Sequence, residues 1–187
     1  MKKHLEMDSR VSVTVGVHPH MLFIGTYNGS FRKLEALVND TPRVVGIGEV
    51  GLDFTTACRC RQSHDRTVCK RDKLEAQRQF LRMCLPMADR MRKPIVIHCR
   101  DSGNGLAAKQ TLLLFRELNL THMPVQRYCF IGSSEELVQW STVLPNCMFS
   151  LSMRSLQDRN TREALVQHAD AKRLLLETDA DRCSLFG

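Results

Sequence analysis

Short apolar runs alternate with helical segments along this 187-residue chain, and this alternation constrains the fold more than any other feature. The runs are rich in β-branched residues, and several are apolar throughout, as strands buried on both faces of a parallel sheet are. The six predicted strands span 11–17, 43–50, 94–99, 124–130, 146–151 and 173–177. Because successive strands are separated by helices, the chain consists of βα units, and we predict an α/β fold with a parallel sheet.

The segments between the predicted strands have the apolar spacing of helices. The predicted helices span 31–40, 72–92, 106–118, 133–140 and 160–168. The helix over 72–92 is the longest, and Pro86 inside it is expected to kink it. The segment 55–73 is polar, basic and rich in cysteine, so we predict an exposed insertion loop within a single domain covering 1–187.

The composition is that of a packed globular domain, with 43% hydrophobic and 25% charged residues, which excludes intrinsic disorder. The sequence predicts no membrane association, because no apolar run approaches the ~18 residues of a transmembrane helix. The eight cysteines are scattered, and the first residues lack an apolar signal segment. Reduced thiols in the cytoplasm or nucleus are therefore expected. The net charge of +7 is compatible with a polyanionic partner but does not require one.

Acidic and imidazole side chains follow the predicted strands at their carboxyl ends, where parallel α/β folds carry functional groups. Glu49 lies near the end of the second strand, His98 ends the third, and Asp179 follows the last. Separately, these could be a structural ion pair, a hydrogen-bonded core histidine and a helix N-cap. Together they favour a metal site, because carboxylate oxygen and imidazole nitrogen suit Mg²⁺, Mn²⁺ or Zn²⁺.

Other polar residues allow more than one interpretation. His18 and His20 flank a proline, and they could be turn residues or contacts to substrate phosphate. Arg100 and Arg127 could contact phosphate or lie on the surface. A zinc site is conceivable in the segment 55–73, but one residue between the first two cysteines is fewer than usual and favours a loop without metal. Its four possible ligands are Cys58, Cys60, His64 and Cys69.

Six segments along the chain, taken in order, resemble the signature segments of the TatD family of metal-dependent deoxyribonucleases. They are GVHPH (16–20), GIGEVGLD (46–53), QF (79–80), KPIVIHCR (93–100), YCFIGS (128–133) and LETDA (176–180). The resemblance implies a TIM-type (β/α)₈ barrel of the metal-dependent hydrolase superfamily. One or two divalent ions, Mg²⁺ or else Mn²⁺ or Zn²⁺, are expected at its carboxyl-end mouth. The implied reaction is hydrolysis of phosphodiester bonds in nucleic acid, DNA more than RNA, often from an end.

The resemblance also implies roles for individual residues. Glu49 would bridge two metal ions, and His98 and Asp179 would be further ligands. Glu49 and Asp179 would be the catalytic residues, with Asp179 holding or deprotonating the attacking water. His18 and Arg100 would bind the substrate phosphate.

The sequence departs from the family pattern in three places. No His-x-His strand precedes Val11, so about six of eight βα units are expected and the domain is expected to be truncated at both ends. Tyr128 stands at a family histidine ligand, and a neutral phenol binds Mg²⁺ or Zn²⁺ poorly. Asp181 replaces a proline and adds an acid that could be a ligand or a solvated loop residue. The alternative function is a catalytically impaired barrel remnant that binds nucleic acid or a protein partner through its basic loop, 59–73.

Overall fold

The computed structural model describes residues 8–55 and 65–179, and their strands form one six-stranded sheet in which strand order equals chain order. Every neighbouring pair is parallel, which confirms the α/β prediction. The strands are β1 (Val13–Val15), β2 (Val44–Asp53), β3 (Ile95–Arg100), β4 (Val125–Arg127), β5 (Cys147–Leu151) and β6 (Leu174–Leu176). All carboxyl ends therefore meet at one edge.

Helices connect the strands, as parallel connections require. They are α1 (Tyr27–Asp40), α2 (Arg66–Arg90), α3 (Leu106–Glu117), α4 (Ser134–Val143), α5 (Met153–Gln157) and α6 (Arg159–His168). Short 3₁₀ turns cover Pro19–Met21 and Ala171–Arg173. Among the described helices, none combines the length and apolar character that crossing a membrane demands.

The hydrophobic core lies between the sheet and these helices. Its largest fully buried side chains are aromatic: Trp140, Phe80, Phe115, Phe130 and Phe149. Strand β2 is buried along most of its ten residues, and β3 is buried up to its last residue. Burial of this apolar surface stabilises the fold at about 25 cal/mol per Å², and it holds the carboxyl ends of the central strands in fixed positions.

Helix α2 begins earlier than the sequence predicts. The Asp65 carboxylate accepts hydrogen bonds from the backbone N–H groups of Thr67 and Val68, and this N-cap starts the helix at Arg66 rather than residue 72. Residues 66–73, predicted as the end of a loop, are thus two helical turns. Most of their polar side chains are exposed to solvent, whereas Lys73 is buried. The remaining loop candidates, including Cys58, Cys60, His64, Arg59 and Arg61, lie outside the described residues, as does Asp181.

The centre of the sheet depends on a glycine in β2. Gly51 has φ near +150° and pairs with His98 of β3. A Cβ atom at Gly51 would lie 1.9 Å from the backbone oxygen of His98, so a side chain cannot be accommodated there. This close approach brings the end of β2 directly alongside His98.

Candidate metal centre

Two histidines and a glutamate converge at the carboxyl edge of the sheet. His18 lies in the segment after β1, Glu49 in β2 and His98 in β3. One ligand atom from each can be chosen so that all three atoms lie within 4.8 Å of one another. His98 is buried, whereas His18 and Glu49 are partly exposed. Two imidazole nitrogens and a carboxylate oxygen at this separation form a donor set that suits a divalent cation.

A buried carboxylate orients the histidine at the centre of this cluster. The Nδ1 atom of His98 lies 2.5 Å from Oε1 of Glu49, and its Nε2 atom lies 2.9 Å from Oδ2 of Asp53. Nε2 of His20 lies 2.9 Å from the same Asp53 oxygen. Ionised carboxylates can only accept, so His98 donates from Nε2 to Asp53 and from Nδ1 to Glu49, and a cation at Nδ1 would take the place of that hydrogen. A second hydrogen bond of this kind commonly fixes a metal-binding histidine.

The charges of the cluster shift its pKa values in opposite directions. Burial alone would raise the pKa of Glu49, but the hydrogen bond with His98 and the charges of His98, His18 and Arg100 hold it below its usual value. Burial alone would lower the pKa of His98, whereas its hydrogen bonds to Asp53 and Glu49 raise it. Protonated His98 thus supplies positive charge next to the carboxylates of Glu49 and Asp53, which a bound cation would otherwise supply.

A second acidic group faces the cluster from β6. The hydroxyl of Tyr128 donates to Oδ1 of Asp179 over 3.1 Å, and Oε2 of Glu177 accepts from the Ser150 hydroxyl over 2.7 Å. Oε1 of Glu177 is buried and has no hydrogen-bond partner within 8–55 and 65–179. Burial raises the pKa of Glu177, and the negative charges of Asp179 and Glu49 raise it further. An unsatisfied carboxylate oxygen near two other carboxylates fits the presence of a cation.

Tyr128 is held as a neutral phenol. Burial raises its pKa, and the charges of Glu177, Asp179 and Glu49 add to this effect. The residue at the family's histidine position therefore acts as a hydrogen-bond donor to Asp179, and it lacks the anionic oxygen that a hard cation prefers.

The predicted site residues lie in one cavity of about 910 Å³, whose lining includes His18, Glu49, His98, Arg100 and Asp179. Asp179 is outside the tight cluster of three donors, where His18 is found instead. His18 follows β1 and Asp179 follows β6, and these are the two outermost strands of the sheet. Since both line one cavity, the sheet curls into part of a barrel.

Arg127 is not a surface residue, which was one of its two interpretations, and it lines the cavity, so a phosphate contact stays a prediction. Its side chain is only 3% exposed, and its guanidinium donates to the carbonyl oxygens of Tyr128 (2.8 Å) and Cys99 (2.7 Å). It also pairs with Glu136 and lies over the Trp140 ring. These contacts connect β3, β4 and α4 at the wall of the cavity.

Two polar residues of this site, Asp53 and Glu177, were not among the predicted site residues. The sequence could have indicated Asp53, because side chains alternate along a strand and residues 49, 51 and 53 therefore share one face. Glu177 has the same two-residue spacing from Asp179. The length of β2 to Asp53, rather than to residue 50, explains why the first was missed.

Known proteins resemble this chain in family, sequence and structure. The family model described as TatD related DNase matches residues 1–181. The chain is 28% identical over 167 residues to the human 3'-5' RNA nuclease TATDN2, covering 88% of this chain and 19% of that protein. It is 31% identical over 170 residues to the 3'-5' ssDNA/RNA exonuclease TatD of Edwardsiella piscicida, covering 89% of this chain and 56% of that protein. The chain thus spans about half the length of this bacterial relative.

Solved structures share the fold. An uncharacterized amidohydrolase from Saccharomyces cerevisiae superposes with a TM-score of 0.69 at 20% identity, covering 95% of this chain and 60% of that chain. A hydrolase TatD family protein from Entamoeba histolytica gives a TM-score of 0.68 at 24% identity, covering 95% and 54%. These matches confirm the TIM-like α/β architecture. The family model, which matches residues 1–181, shows that the chain belongs to the TatD-related DNase family.

Proposed function

We propose that this chain carries the metal centre of a hydrolase that cleaves phosphodiester bonds in nucleic acid. The observation that carries the proposal is the convergence of His18, Glu49 and His98 to within 4.8 Å, in a cavity that Asp179 also lines. The relatives support it, since their names describe nucleases acting on RNA or on single-stranded DNA and RNA. Nucleic acid is the proposed substrate, with DNA preferred over RNA as the finer part of the proposal.

The proposed ligands extend the set expected from the sequence. Glu49, His98 and Asp179 were expected to bind metal, and we add His18 because its ring nitrogen lies with the donors of Glu49 and His98. The unsatisfied oxygen of Glu177 makes this carboxylate a further candidate. Hard oxygen and imidazole donors favour Mg²⁺ or Mn²⁺, with Zn²⁺ the alternative. Tyr128 is not proposed as a ligand.

Each residue then has a definite task. A bound divalent cation supplies positive charge to the attacked phosphate and lowers the pKa of a coordinated water. Asp53 fixes the His98 ring so that Nδ1 is available to the cation. Asp179, oriented by the Tyr128 hydroxyl, can accept the proton of the attacking water. Arg100 lines the same cavity, and its guanidinium can hold the non-bridging oxygens of the phosphate.

Metal binding and hydrolysis test the proposal together. We expect Mn²⁺ to raise the melting temperature of the protein, and a fluorescent single-stranded oligonucleotide to be cut only when Mn²⁺ or Mg²⁺ is present. Replacing Glu49 by Gln is expected to remove most of both effects, and Asp179→Asn is expected to reduce the cleavage rate at least 100-fold.

Glu163→Gln is the matched control, because Glu163 also pairs with a basic residue but lies on the surface of α6. It should behave like the wild type. Cleavage that is undiminished in Glu49→Gln and Asp179→Asn would exclude the proposal. Oligonucleotide binding without any cleavage in the wild type would instead support the alternative function, a barrel remnant that only binds nucleic acid.

A further inference from the structure

The cavity over the metal centre extends beyond the residues needed to hold a cation. Its lining includes Arg154 of α5 and Asn160 of α6, both of which are exposed and follow β5 in the chain. The volume of about 910 Å³ lies near the top of the ~300–1,000 Å³ range of small-ligand pockets. A ligand larger than a single phosphate group can therefore be accommodated.

Two arginines that line this cavity are available to a ligand. Within the described ranges 8–55 and 65–179, Arg100 and Arg154 form no ion pair, and their guanidinium groups donate no hydrogen bond. Some other arginines of the fold are paired, such as Arg82 with Glu117 and Arg90 with Glu35, but what distinguishes Arg100 and Arg154 is that they line the cavity. Unpaired guanidinium groups in a concave site favour an anionic ligand.

Two acidic residues close to these arginines in the sequence accept hydrogen bonds from the protein backbone. Asp101 accepts hydrogen bonds from the backbone N–H groups of Gly103 (2.8 Å) and Ala107 (3.1 Å). Asp158 caps α6, accepting from the N–H of Thr161 over 2.8 Å. Neither carboxylate forms an ion pair with Arg100 or Arg154, so both guanidinium groups can still donate hydrogen bonds to a ligand, although the charge of Arg100 also acts on Glu49.

The two arginines are spaced so that each could contact a different backbone phosphate of one polynucleotide strand. Arg100 ends β3 and Arg154 follows β5, and one strand separates these two, which corresponds to about 10 Å across the sheet. A stacked single strand covers this distance in a few nucleotides, at ~3.4 Å each. We propose that Arg154 binds a second backbone phosphate of a single-stranded polynucleotide whose scissile phosphate lies at the metal centre beside Arg100.

Because this proposal rests on the proposed function, its test uses both binding and hydrolysis. Binding of a fluorescein-labelled single-stranded oligonucleotide is measured by anisotropy in EDTA at several salt concentrations. Hydrolysis in Mn²⁺ is measured on the same oligonucleotide and on bis(p-nitrophenyl) phosphate, which has only one phosphate. The variants are Arg154→Ala, Arg154→Lys and Arg116→Ala. Arg116 is the control for loss of a positive charge, because it lies in the last turn of α3 and does not line the cavity.

We expect Arg154→Ala to weaken oligonucleotide binding roughly tenfold and to reduce the slope of log K against log salt by about 0.7, one phosphate contact on a single strand. Arg154→Lys should keep the slope, and Arg116→Ala should match the wild type. The loss of kcat/KM for Arg154→Ala should be about tenfold greater on the oligonucleotide than on bis(p-nitrophenyl) phosphate.

An unchanged salt slope in Arg154→Ala, or equal losses on the two substrates, would overturn the second phosphate site. Failure of the wild type to hydrolyse either substrate would instead refute the proposed function. In that case the binding measurements in EDTA still decide whether Arg154 contacts a phosphate.

Discussion

Replacing Asp53 by Asn is expected to weaken metal binding although Asp53 itself is not proposed as a ligand. Asp53 is fully buried, and its Oδ2 atom lies 2.9 Å from Nε2 of both His98 and His20. Its Oδ1 atom accepts hydrogen bonds from Thr55. If the Asn oxygen keeps the Thr55 bonds, its NH₂ group faces two imidazole nitrogens. His98 must then accept at Nε2, so its one remaining hydrogen is fixed on Nδ1 and blocks the metal-binding atom.

The size of the effect follows from these contacts. Loss of a carboxylate that orients a metal-binding histidine costs about 10- to 100-fold in metal affinity, and we expect Mn²⁺ affinity measured by calorimetry to fall in this range. Two charge-assisted hydrogen bonds are exchanged for poorer ones, so the free energy of unfolding of the metal-free protein should fall by about 3 kcal/mol in urea. Long-range ¹H–¹⁵N NMR should show that Nε2 of His98 loses its hydrogen while Nδ1 keeps one.

The matched control is Asp89→Asn, because Asp89 also pairs with a histidine, His122, at 2.9 Å but on the surface. This change should alter the free energy of unfolding by less than about 1 kcal/mol and leave Mn²⁺ affinity unaltered. If Asp53→Asn binds Mn²⁺ within twofold of the wild type and keeps the Nε2 hydrogen on His98, the orienting role of Asp53 is refuted.

Two further substitutions test the packing beneath the site by urea unfolding. Arg127→Met should lower the free energy of unfolding by about 3–5 kcal/mol, because Glu136 and two carbonyl groups lose a buried cation; a loss below 1 kcal/mol would show that this cation is dispensable. Gly51→Ala should prevent stable folding, since its Cβ would lie 1.9 Å from the His98 carbonyl oxygen. By contrast, Gly29→Ala, in the exposed part of α1 with open space around it, should stabilise the protein by up to ~1 kcal/mol; similar stabilities for the two alanine variants would contradict the close approach of β2 and β3.

The order of strands and helices could be predicted because apolar runs and helical spacing are local properties of the chain. The boundaries were less predictable. The short helix Met153–Gln157 has too few residues to show a helical period, and Asp65 starts α2 in a segment whose composition resembles a loop. Strand ends depend on neighbours as well, as in β2, which runs on to Asp53 alongside β3.

The site was partly predictable for the same reason. Glu49 and His98 follow strands that pair directly, so their convergence could be inferred from position alone, and their side chains approach to 2.5 Å. The closeness of His18 to them depends on the turn after β1, and the burial of Arg127 depends on Trp140 and Glu136 from a later helix. Such contacts join residues far apart in the chain and leave no local pattern to detect.

The curl of the sheet has a consequence for assembly of the protein during synthesis. His18 follows β1 and Asp179 follows β6, so His18 leaves the ribosome well before Asp179, and the two lie beyond opposite edge strands of the described sheet. A cation with ligands after both β1 and β6 would connect the two edge strands. It would have its full set of ligands only in chains in which every strand between these two has docked. Its binding energy would then oppose flattening of the sheet, so that ion availability during translation would influence the yield of correctly curved molecules.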